Sequence, residues 1–285
     1  MSNTLILGVD SGNHKAKVVG PFGVDSFRTN ICEWFIREVE VEHGSDDMEF
    51  NIDGRSGYAG TIAMLEDDFD GGGSMFGDSK NHDDNKMRVI LAIHRYLQKY
   101  SPETTSVKIV TGQPIKQHNN IEKQGIIDML KGPHHVTVNK VTQILTIEEV
   151  IVSPEGSAAF WSNPREGTVR ILDIGSGTVN AATIVDKKHV NARSATYNFG
   201  MENSRNKDDL PAMARGIIRN TTALKWQRND LVLVCGGITN EILPHIKQHY
   251  TNAEALVPKL NSAMKLTPVY ANAAGFYAIS KKVFK

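Results

Sequence analysis

Two stretches of the sequence place an aspartate at the end of an apolar run and follow it with a turn of small polar residues. They are LILGVDSGNHKAKVV at 5–19, which contains Asp10, and ILDIGSGTVN at 171–180, which contains Asp173. Glycine adopts positive φ without steric cost, so each stretch predicts a tight β-hairpin. Such a turn points backbone N–H groups and small hydroxyls at one place, which suits phosphate oxygens. Each aspartate lies where its carboxylate can hold a hydrated cation on those phosphates.

The turn residues themselves are the predicted phosphate ligands. They are Ser11, Gly12 and Asn13 after the first aspartate, and Gly175, Ser176, Gly177 and Thr178 after the second. Lys17, with Lys15 two residues earlier on the same strand face, can neutralise phosphate charge, and a solvated strand lysine is the alternative. Because a glycine turn is also typical of any β-hairpin, each stretch alone is a weak signal.

Two further stretches join a strand to a helix. The segment EEVIVSPEGSAAF at 148–160 predicts a strand, a proline, and then Glu155 at the start of a helix of small residues. An acid at this position is favourable for the helix dipole whether or not it has another role. The segment 231–240 predicts a strand, then Gly236 and Gly237, whose bare backbone would let a nucleoside lie flat against it. A glycine pair between a strand and a helix is common, so this signal is also weak alone.

The remaining elements, which must position these turns, are predicted from hydrophobic periodicity. They are strands at 24–27, 107–112 and 189–197, an exposed strand within 32–41, a strand or hairpin at 134–147, and helices at 83–99, 115–130, 210–222 and from 268 onward. Asp83 or Asp84 is the expected N-cap of the 83–99 helix.

Three features resemble metal sites but lack ligands. Residues 67–82 imitate part of a calcium-binding loop, yet Gly77 stands where that loop needs a bidentate glutamate, so a flexible acidic loop is predicted. His245 and His249 are four residues apart on a predicted helix without an evident third ligand. His134 and His135 are predicted to lie on the surface.

Composition limits the classes of partner and compartment. The 285 residues contain 32 Lys+Arg and 32 Asp+Glu, so the net charge is zero. Direct nucleic-acid binding, which depends on neutralising phosphates, is therefore not expected. We expect no membrane partner, because no apolar run approaches a membrane span and the N-terminus has no signal-peptide pattern. Cys32 and Cys235 lie in apolar contexts typical of buried, reduced thiols in a cytoplasmic protein.

Taken in order, the motifs resemble those of the actin, sugar-kinase and heat-shock-chaperone superfamily, in which two such hairpins clamp the phosphates of ATP. The order is phosphate hairpin, first interdomain crossing, second phosphate hairpin, adenosine turn and second crossing. The strings PEGSAA at 154–159 and YANAAG at 270–275 are similar to those of bacterial plasmid-segregation actins of the ParM and AlfA type.

The resemblance implies an α/β, actin-like (ribonuclease H-like) duplicated fold with two domains around a nucleotide cleft. The implied domains are 1–153, with a small subdomain inserted at about 31–82, and 154–285, with a crossing helix at about 268–281. Only 63 residues separate Asp173 from Gly236, so the upper subdomain of the second domain is predicted to be reduced. Nucleotide contacts around 202–207 are not carried over for that reason.

The resemblance also implies residue roles. Asp10 and Asp173 would bind Mg²⁺ through water, Glu155 and Asp173 would be catalytic, and Glu155 would orient the attacking water. Lys17 matches the position that neutralises phosphate charge, and Gly236 and Gly237 match the adenosine turn. The implied nucleotide is ATP, with GTP left open.

The implied function is a filament-forming ATPase whose polymers separate plasmid copies in the cytoplasm. Its partners would be further copies of itself and a DNA-binding adaptor protein on a plasmid centromere. Two alternatives remain: a small-molecule kinase of the same fold, and a nucleotide-gated binding module as in chaperones. The kinase would need a substrate pocket and an aspartate base for which no motif is evident, and the chaperone class carries an extra domain.

Overall fold

The structure is a computed structural model that describes residues 4–39, 44–66, 79–201, 209–261 and 264–284. Most of the predicted acidic loop at 67–82 and the whole of 202–207 lie outside the described residues. The two parts of the chain each build one mixed β-sheet, and the helices cover the sheet faces.

The first sheet has nine strands, in the spatial order β3-β2-β1-β7-β9-β8-β5-β6-β4. These are β1 (Leu5–Ser11), β2 (Lys15–Gly20), β3 (Gly23–Arg28), β4 (Ile31–Glu33), β5 (Met48–Ile52), β6 (Arg55–Ala59), β7 (Ser106–Gln113), β8 (Gly132–Val138) and β9 (Val141–Pro154). The first hairpin lies near one edge of this sheet, and the short strand β4 forms the other edge.

The second sheet has six strands, in the order β12-β11-β10-β14-β15, with β13 pairing with β11. These are β10 (Thr168–Ile174), β11 (Val179–Val185), β12 (Lys188–His189), β13 (Ala195–Tyr197), β14 (Leu231–Gly236) and β15 (Asn252–Ala255).

Six α-helices complete the described fold. They are α1 (Thr61–Glu66), α2 (Asp83–Tyr100), α3 (Asn120–Leu130), α4 (Leu210–Ala223), α5 (Thr239–Lys247) and α6 (Ala271–Val283). The apolar stripe of α2 packs on the first sheet, where Ile90 joins Leu7 and Ile109 in one core cluster. Helices α4 and α5 pack on the second sheet, where Ile217 and Ile246 join Val232. Each sheet therefore has its own hydrophobic core.

The two predicted hairpins are confirmed, and they have the same topology. β1 pairs antiparallel with β2, with Asp10 opposite Lys17, and pairs parallel with β7 on its other side. β10 likewise pairs antiparallel with β11, with Asp173 opposite Asn180, and parallel with β14. A repeated antiparallel–parallel arrangement around each aspartate strand supports the duplication and the actin-like α/β fold.

Helix α6 holds the two halves together through contacts that leave no room for side chains. A Cβ on Gly275 would lie 2.0 Å from the carbonyl oxygen of Ala158, at the start of the second half. A Cβ on Gly8, in β1, would lie 2.2 Å from the carbonyl oxygen of Ala273. The backbone of α6 thus touches both parts of the chain, as a crossing helix would.

Several local predictions are corrected. His82, not Asp83 or Asp84, is the N-cap of α2, because its ring Nδ1 accepts a hydrogen bond from the Asn85 N–H. The helix expected after Glu155 is a five-residue 3-10 helix, Ala158–Ser162.

Three predicted segments have different bounds. The exposed strand expected within 32–41 is limited to β4 in the described residues, and the helix expected at 115–130 starts with a separate 3-10 turn, Ile115–Gln117. The strand expected at 189–197 is interrupted by the 3-10 turn Asn191–Arg193. Between β13 and α4 the chain has only 12 residues, so the second half has no room there for a large subdomain.

The prediction that His134 lies on the surface is wrong. Its side chain is buried, with Nδ1 2.7 Å from Asp53 Oδ2 and Nε2 2.8 Å from the Leu130 carbonyl oxygen. Burial acts to raise the pKa of Asp53, but hydrogen bonds from His134, Lys86 and the His135 N–H outweigh it and lower the pKa to about 2. The histidine joins the β5–β6 turn to the end of α3. The adjacent residue, His135, is exposed.

Neither Cys32 nor Cys235 forms a disulfide bond; Cys235 is buried, and Cys32 is partly exposed. Within the described ranges, no helix combines the length and the apolar character that crossing a membrane requires.

The α6 contact generates a pair of opposite predictions. Gly275→Ala should lower the free energy of unfolding by about 1–3 kcal/mol, because its Cβ must displace the Ala158 backbone. Gly216→Ala, in the interior of α4 with no heavy atom within 4 Å of the added Cβ, should raise it by about 0.5–1 kcal/mol. Urea denaturation measures both. Two glycines that respond alike to alanine would contradict the tight α6 packing.

Candidate functional site

The two glycine turns face each other. A Cβ placed on Gly177 would lie 3.7 Å from Asn13 Nδ2, so the tips of the two hairpins are neighbours. The second turn is closed by a hydrogen bond of 2.9 Å from the Gly175 N–H to the Thr178 carbonyl oxygen. Gly12 and the residues from Gly175 to Thr178 are partly exposed, and Asn13 is exposed. The predicted phosphate ligands of the two stretches therefore line one place.

Contacts from α2 and β3 fix the shape of the first turn. The Ser11 hydroxyl is buried and donates to Asn85 Oδ1 at 2.6 Å, so its hydrogen points away from the turn. Asn13 Oδ1 accepts from Arg88 Nη1 at 3.1 Å. Thr29 Oγ1 lies 2.9 Å from the Gly12 carbonyl oxygen and 2.6 Å from that of Asn13. The turn is held by side chains 16 to 75 residues away rather than by its own sequence alone.

Three carboxylates converge beneath the turns. Asp10, Asp173 and Glu155 are 6%, 7% and 7% exposed, and they come from the ends of β1, β10 and β9 respectively. Asn180 Nδ2 lies 3.5 Å from Glu155 Oε2 and 3.3 Å from Asp173 Oδ2, so these two acids are neighbours. The Lys80 ammonium lies 3.0 Å from Glu155 Oε1 and 2.8 Å from the carbonyl oxygen of Ser11, the residue after Asp10. Two ammonium groups, those of Lys17 and Lys80, balance this charge in part.

Lys17 pairs with Asp10, the residue opposite it in the hairpin. Its Nζ lies 2.9 Å from Asp10 Oδ2. Burial acts to lower the pKa of Lys17, but the charge and hydrogen bond of Asp10, with the charges of Asp173 and Glu155, outweigh it and raise the pKa. Lys17 is therefore a fixed cation beside the first turn, and the alternative of a solvated strand lysine is excluded.

Asp173 is held by amide side chains instead of a cation. Asn272 Nδ2 donates to Asp173 Oδ2 at 3.0 Å, and Asn180 Nδ2 lies 3.3 Å from the same oxygen. Burial, with repulsion from Glu155 and Asp10, raises the pKa of Asp173 to about 6, although the two amide hydrogen bonds act in the opposite direction. A carboxylate with a raised pKa in a cluster of acids is a group that gains from a nearby cation.

Glu155 has one carboxylate oxygen without a hydrogen bond. Asn180 Nδ2 lies 3.5 Å from Oε2, at the outer limit of a hydrogen bond. Oε1 is buried and 3.0 Å from the Lys80 ammonium, but this ion pair lacks the alignment of a hydrogen bond. The Lys80 ammonium instead donates to the Ser11 carbonyl oxygen at 2.8 Å. Oε1 is thus a buried acceptor that can take a hydrogen from a water molecule.

Sequence reasoning missed three residues of this site. Lys80, Asn180 and Asn272 lie 75, 25 and 117 residues from Glu155 and contact either it or Asp173. Asn180 stands at the register position opposite Asp173, which was a usable signal. Asn272 lies in the YANAAG string, where only the small residues were interpreted. Lys80 lies near the end of the loop-like segment 67–82, and nothing in its local sequence identifies it as a residue of the site.

The structure explains Gly236 without a ligand. Its φ is +111°, and a Cβ would lie 2.1 Å from the Ile174 carbonyl oxygen, so the pairing of β14 with β10 requires glycine there. Gly237 is exposed, with no heavy atom within 4 Å of an added Cβ. An adenosine contact at this turn stays a prediction, with open space next to Gly237 in its favour.

The donor set fits a hydrated cation and a phosphate chain. No three His, Cys, Asp or Glu side chains in the described part of the chain form a direct metal-binding cluster. The buried carboxylates exceed the ammonium groups by one, and Mg²⁺ commonly binds through its own water molecules to one or two carboxylates. The facing turns with Lys17 beside them suit phosphate oxygens. Asp10 and Asp173 are the groups that would hold such an ion through water.

The histidine pair is separate from this site. His245 and His249 line a groove on the second sheet's helices together with Arg215 and Arg219.

Comparison with known proteins agrees with this geometry. The family described as actin-like proteins, N-terminal domain, matches residues 8–157, which is more than half of the chain. No curated protein matches the sequence.

Solved structures match the whole chain at low identity. An AlfA filament bound to AMPPNP is 16% identical with a TM-score of 0.79, and the match covers 99% of this chain and 100% of that one. AlfA from the Bacillus subtilis plasmid pLS32 is 17% identical with a TM-score of 0.78, and the match covers 95% of this chain and 97% of that one. A 15-stranded ParM filament from Clostridium botulinum is 19% identical with a TM-score of 0.74, and the match covers 98% of this chain and 99% of that one. Fold, duplicated aspartate hairpins and family profile agree, and this chain belongs to the actin-like protein family.

Proposed function

We propose that this protein is a nucleotide-dependent, filament-forming ATPase that separates plasmid DNA by polymerisation. The observation that carries the proposal is the convergence of Asp10, Asp173 and Glu155 beneath two facing glycine turns. Its structural neighbours include filaments, one of them bound to a nucleotide analogue, which supports the same assignment.

In this proposal ATP lies in the cleft with its phosphates between the two turns. Gly12, Asn13, Ser176, Gly177 and Thr178 donate hydrogen bonds to phosphate oxygens, and Lys17 neutralises part of their charge. Gly175 contributes by shaping the second turn, because its N–H is bonded to the Thr178 carbonyl oxygen. Ser11 contributes through its backbone, because its hydroxyl is bonded to Asn85. Asp10 and Asp173 would hold Mg²⁺ through water, and a bound ion there would supply neutralisation of the phosphate charge.

Glu155 orients the attacking water in the proposed reaction. Its Oε1, which has no hydrogen bond in the structure, accepts a hydrogen of that water and fixes the lone pair toward the terminal phosphate. Asn180 and Asn272 keep Asp173 in place, and Lys80 opposes the charge of Glu155. No covalent intermediate is needed, since phosphoryl transfer depends mainly on positioning and charge neutralisation.

The proposed domains follow the two sheets. Residues 1–153 contain nearly all of the first sheet, with the small subdomain at about 31–82, and residues 154–285 contain the second sheet and α6. The proposed site of action is the cytoplasm. With zero net charge, the protein would reach plasmid DNA through a separate DNA-binding adaptor.

Electron microscopy tests the proposal directly. The purified protein is imaged with Mg²⁺ and AMPPNP, with ATP, with GTP, and without nucleotide. We expect filaments with nucleotide and none without it. A protein that stays monomeric at all concentrations, but whose ATP turnover rises many-fold with one sugar or small acid, would replace the proposal by a small-molecule kinase.

Glu155→Gln tests the role of the carboxylate. The substitution keeps the size of the side chain but removes the strong acceptor, so phosphate release should fall by about 10²–10⁴-fold while nucleotide binding remains. Filaments formed with ATP should then persist instead of disassembling.

The matched control for that substitution is Glu149→Gln, which alters a half-exposed glutamate on β9 that is paired with Lys108. It should leave phosphate release unchanged. If Glu155→Gln turned over ATP at the normal rate, another group would have to orient the water.

A double-mutant cycle tests the buried pair of Lys80 and Glu155. Lys80→Met should lower the free energy of unfolding by about 3 kcal/mol, because it leaves a buried carboxylate without its cation. Adding Glu155→Gln should recover part of this loss, with a coupling of about 1–3 kcal/mol measured by urea denaturation.

The exposed pair Lys187 and Glu166, 2.8 Å apart, is the control cycle. Its coupling, from Lys187→Met and Glu166→Gln, should not exceed about 1 kcal/mol. Equal coupling in the two cycles would show that burial adds nothing to the Lys80 contact.

A further inference from the structure

Exposed apolar side chains are concentrated at one edge of the first sheet. Of the twelve large hydrophobic residues exposed in the described chain, six lie in two short segments, 34–39 and 61–66. They are Trp34, Phe35, Ile36, Val39, Met64 and Leu65. We call these six residues the apolar patch. Ile36 and Leu65 are 80% and 74% exposed, so the described residues leave this surface uncovered.

Specific contacts hold the apolar patch in shape. Tyr58 donates its hydroxyl hydrogen to the Phe35 carbonyl oxygen at 3.0 Å, and the two rings meet edge to face at 5.3 Å. Trp34 Nε1 donates to Glu49 Oε1 at 2.9 Å. Arg37 lies 3.6 Å from Glu66, which joins the 34–39 segment to α1. A patch that is ordered in advance loses little conformational entropy when a partner binds.

The apolar patch is surrounded mainly by acids. Four glutamates lie in or against it, at 33, 38, 49 and 66, and Arg37 and Arg55 pair with two of them. A third arginine, Arg28, contacts the patch through Nη1, which lies 2.9 Å from Met64 Sδ. Arg55 is also shared with Asp84. Among the described residues around the patch the acids, with Asp84 included, outnumber the arginines by five to three, so the excess charge is negative.

A groove of opposite character lies on the second half of the chain, between α4 and α5. Its apolar floor includes Ala214 and Ile218, and its volume is about 360 Å³. Arg215 and Arg219 stand one turn apart on α4, while His245 lies on α5 and His249 lies just after its end. Among the described residues, none of those that line this basic groove is acidic, and none forms an ion pair with either arginine.

We propose that the basic groove of one copy of this chain binds the apolar patch of the next copy. This inference rests on the proposed function, which requires copies to join, and it names the surfaces through which they do so. Ile36, Trp34 or Leu65 would insert over Ala214 and Ile218, and the glutamates around the patch would meet Arg215 and Arg219.

Charge and symmetry both favour a second copy as the occupant. The chain is neutral as a whole, yet one surface is acidic and the other basic, so two copies attract each other in one relative orientation. The two surfaces differ and belong to different sheets, so each copy keeps one free surface after binding. Such a heterologous contact does not close on itself as a two-fold dimer does, and it extends into a linear polymer.

A mixing experiment with two variants tests this pairing. The patch variant carries Ile36→Ser and Leu65→Ser, and the groove variant carries Arg215→Glu and Arg219→Glu. All four positions are exposed, so both variants should keep the thermal unfolding midpoint and the nucleotide affinity of the unaltered protein. Alone, with Mg²⁺ and AMPPNP, each should need at least a tenfold higher concentration to assemble, a change of about 1.4 kcal/mol per contact.

The mixture gives the decisive result. At equal concentrations, the intact groove of the patch variant should bind the intact patch of the groove variant. The product should be a dimer by analytical ultracentrifugation, because both of its outer surfaces are the altered ones. Ile121→Ser, an exposed residue on α3, and Arg228→Glu, an exposed arginine outside the groove, are the controls and should assemble normally.

Three outcomes would overturn the pairing. Either variant could assemble at the normal concentration, the groove variant alone could form dimers through two patches, or the mixture could remain monomeric. The unaltered protein distinguishes failure of this pairing from failure of the proposed function. If the proposed function is wrong, the unaltered protein itself stays monomeric with nucleotide.

Discussion

The side chain of Asn272 joins the parts of this protein on which everything else depends. Its Oδ1 accepts the Gly156 N–H at 2.9 Å, and its Nδ2 donates to Asp173 at 3.0 Å. Gly156 follows the last strand of the first sheet, Asp173 lies on the central strand of the second, and Asn272 stands at the start of α6. One buried amide, with a donor and an acceptor in fixed directions, therefore sets the position of the two sheets and the helix relative to one another.

Such precision is needed because the site brings like charges together. Three buried carboxylates and two ammonium groups lie beneath the turns, and the raised pKa of Asp173, to about 6, reflects the unfavourable balance. Burial without full pairing is costly for stability, so the surrounding backbone must hold the groups there. The close approach of α6 at Gly8 and Gly275 provides this support. The arrangement favours a cation between the acids.

The sequence was informative where a feature is local. Each hairpin contains its own strand, turn and strand, so Asp10, Asp173 and the turn residues could be located without knowing the rest of the chain. The resemblance of their order to actin-like proteins then supplied the duplicated fold. Short-range errors, such as His82 as the cap of α2, arose because a histidine ring replaced the more common aspartate. These errors moved boundaries but not the site.

Contacts between distant residues could not be predicted in this way. Lys80 reaches Ser11 and Glu155 across 69 and 75 positions, and no periodicity or spacing announces it. Its ammonium group joins the backbone of the first turn to the acid that follows β9. That contact exists only once β1 and β9 have been brought together in the first sheet, so a pattern within a few residues of Lys80 cannot encode it.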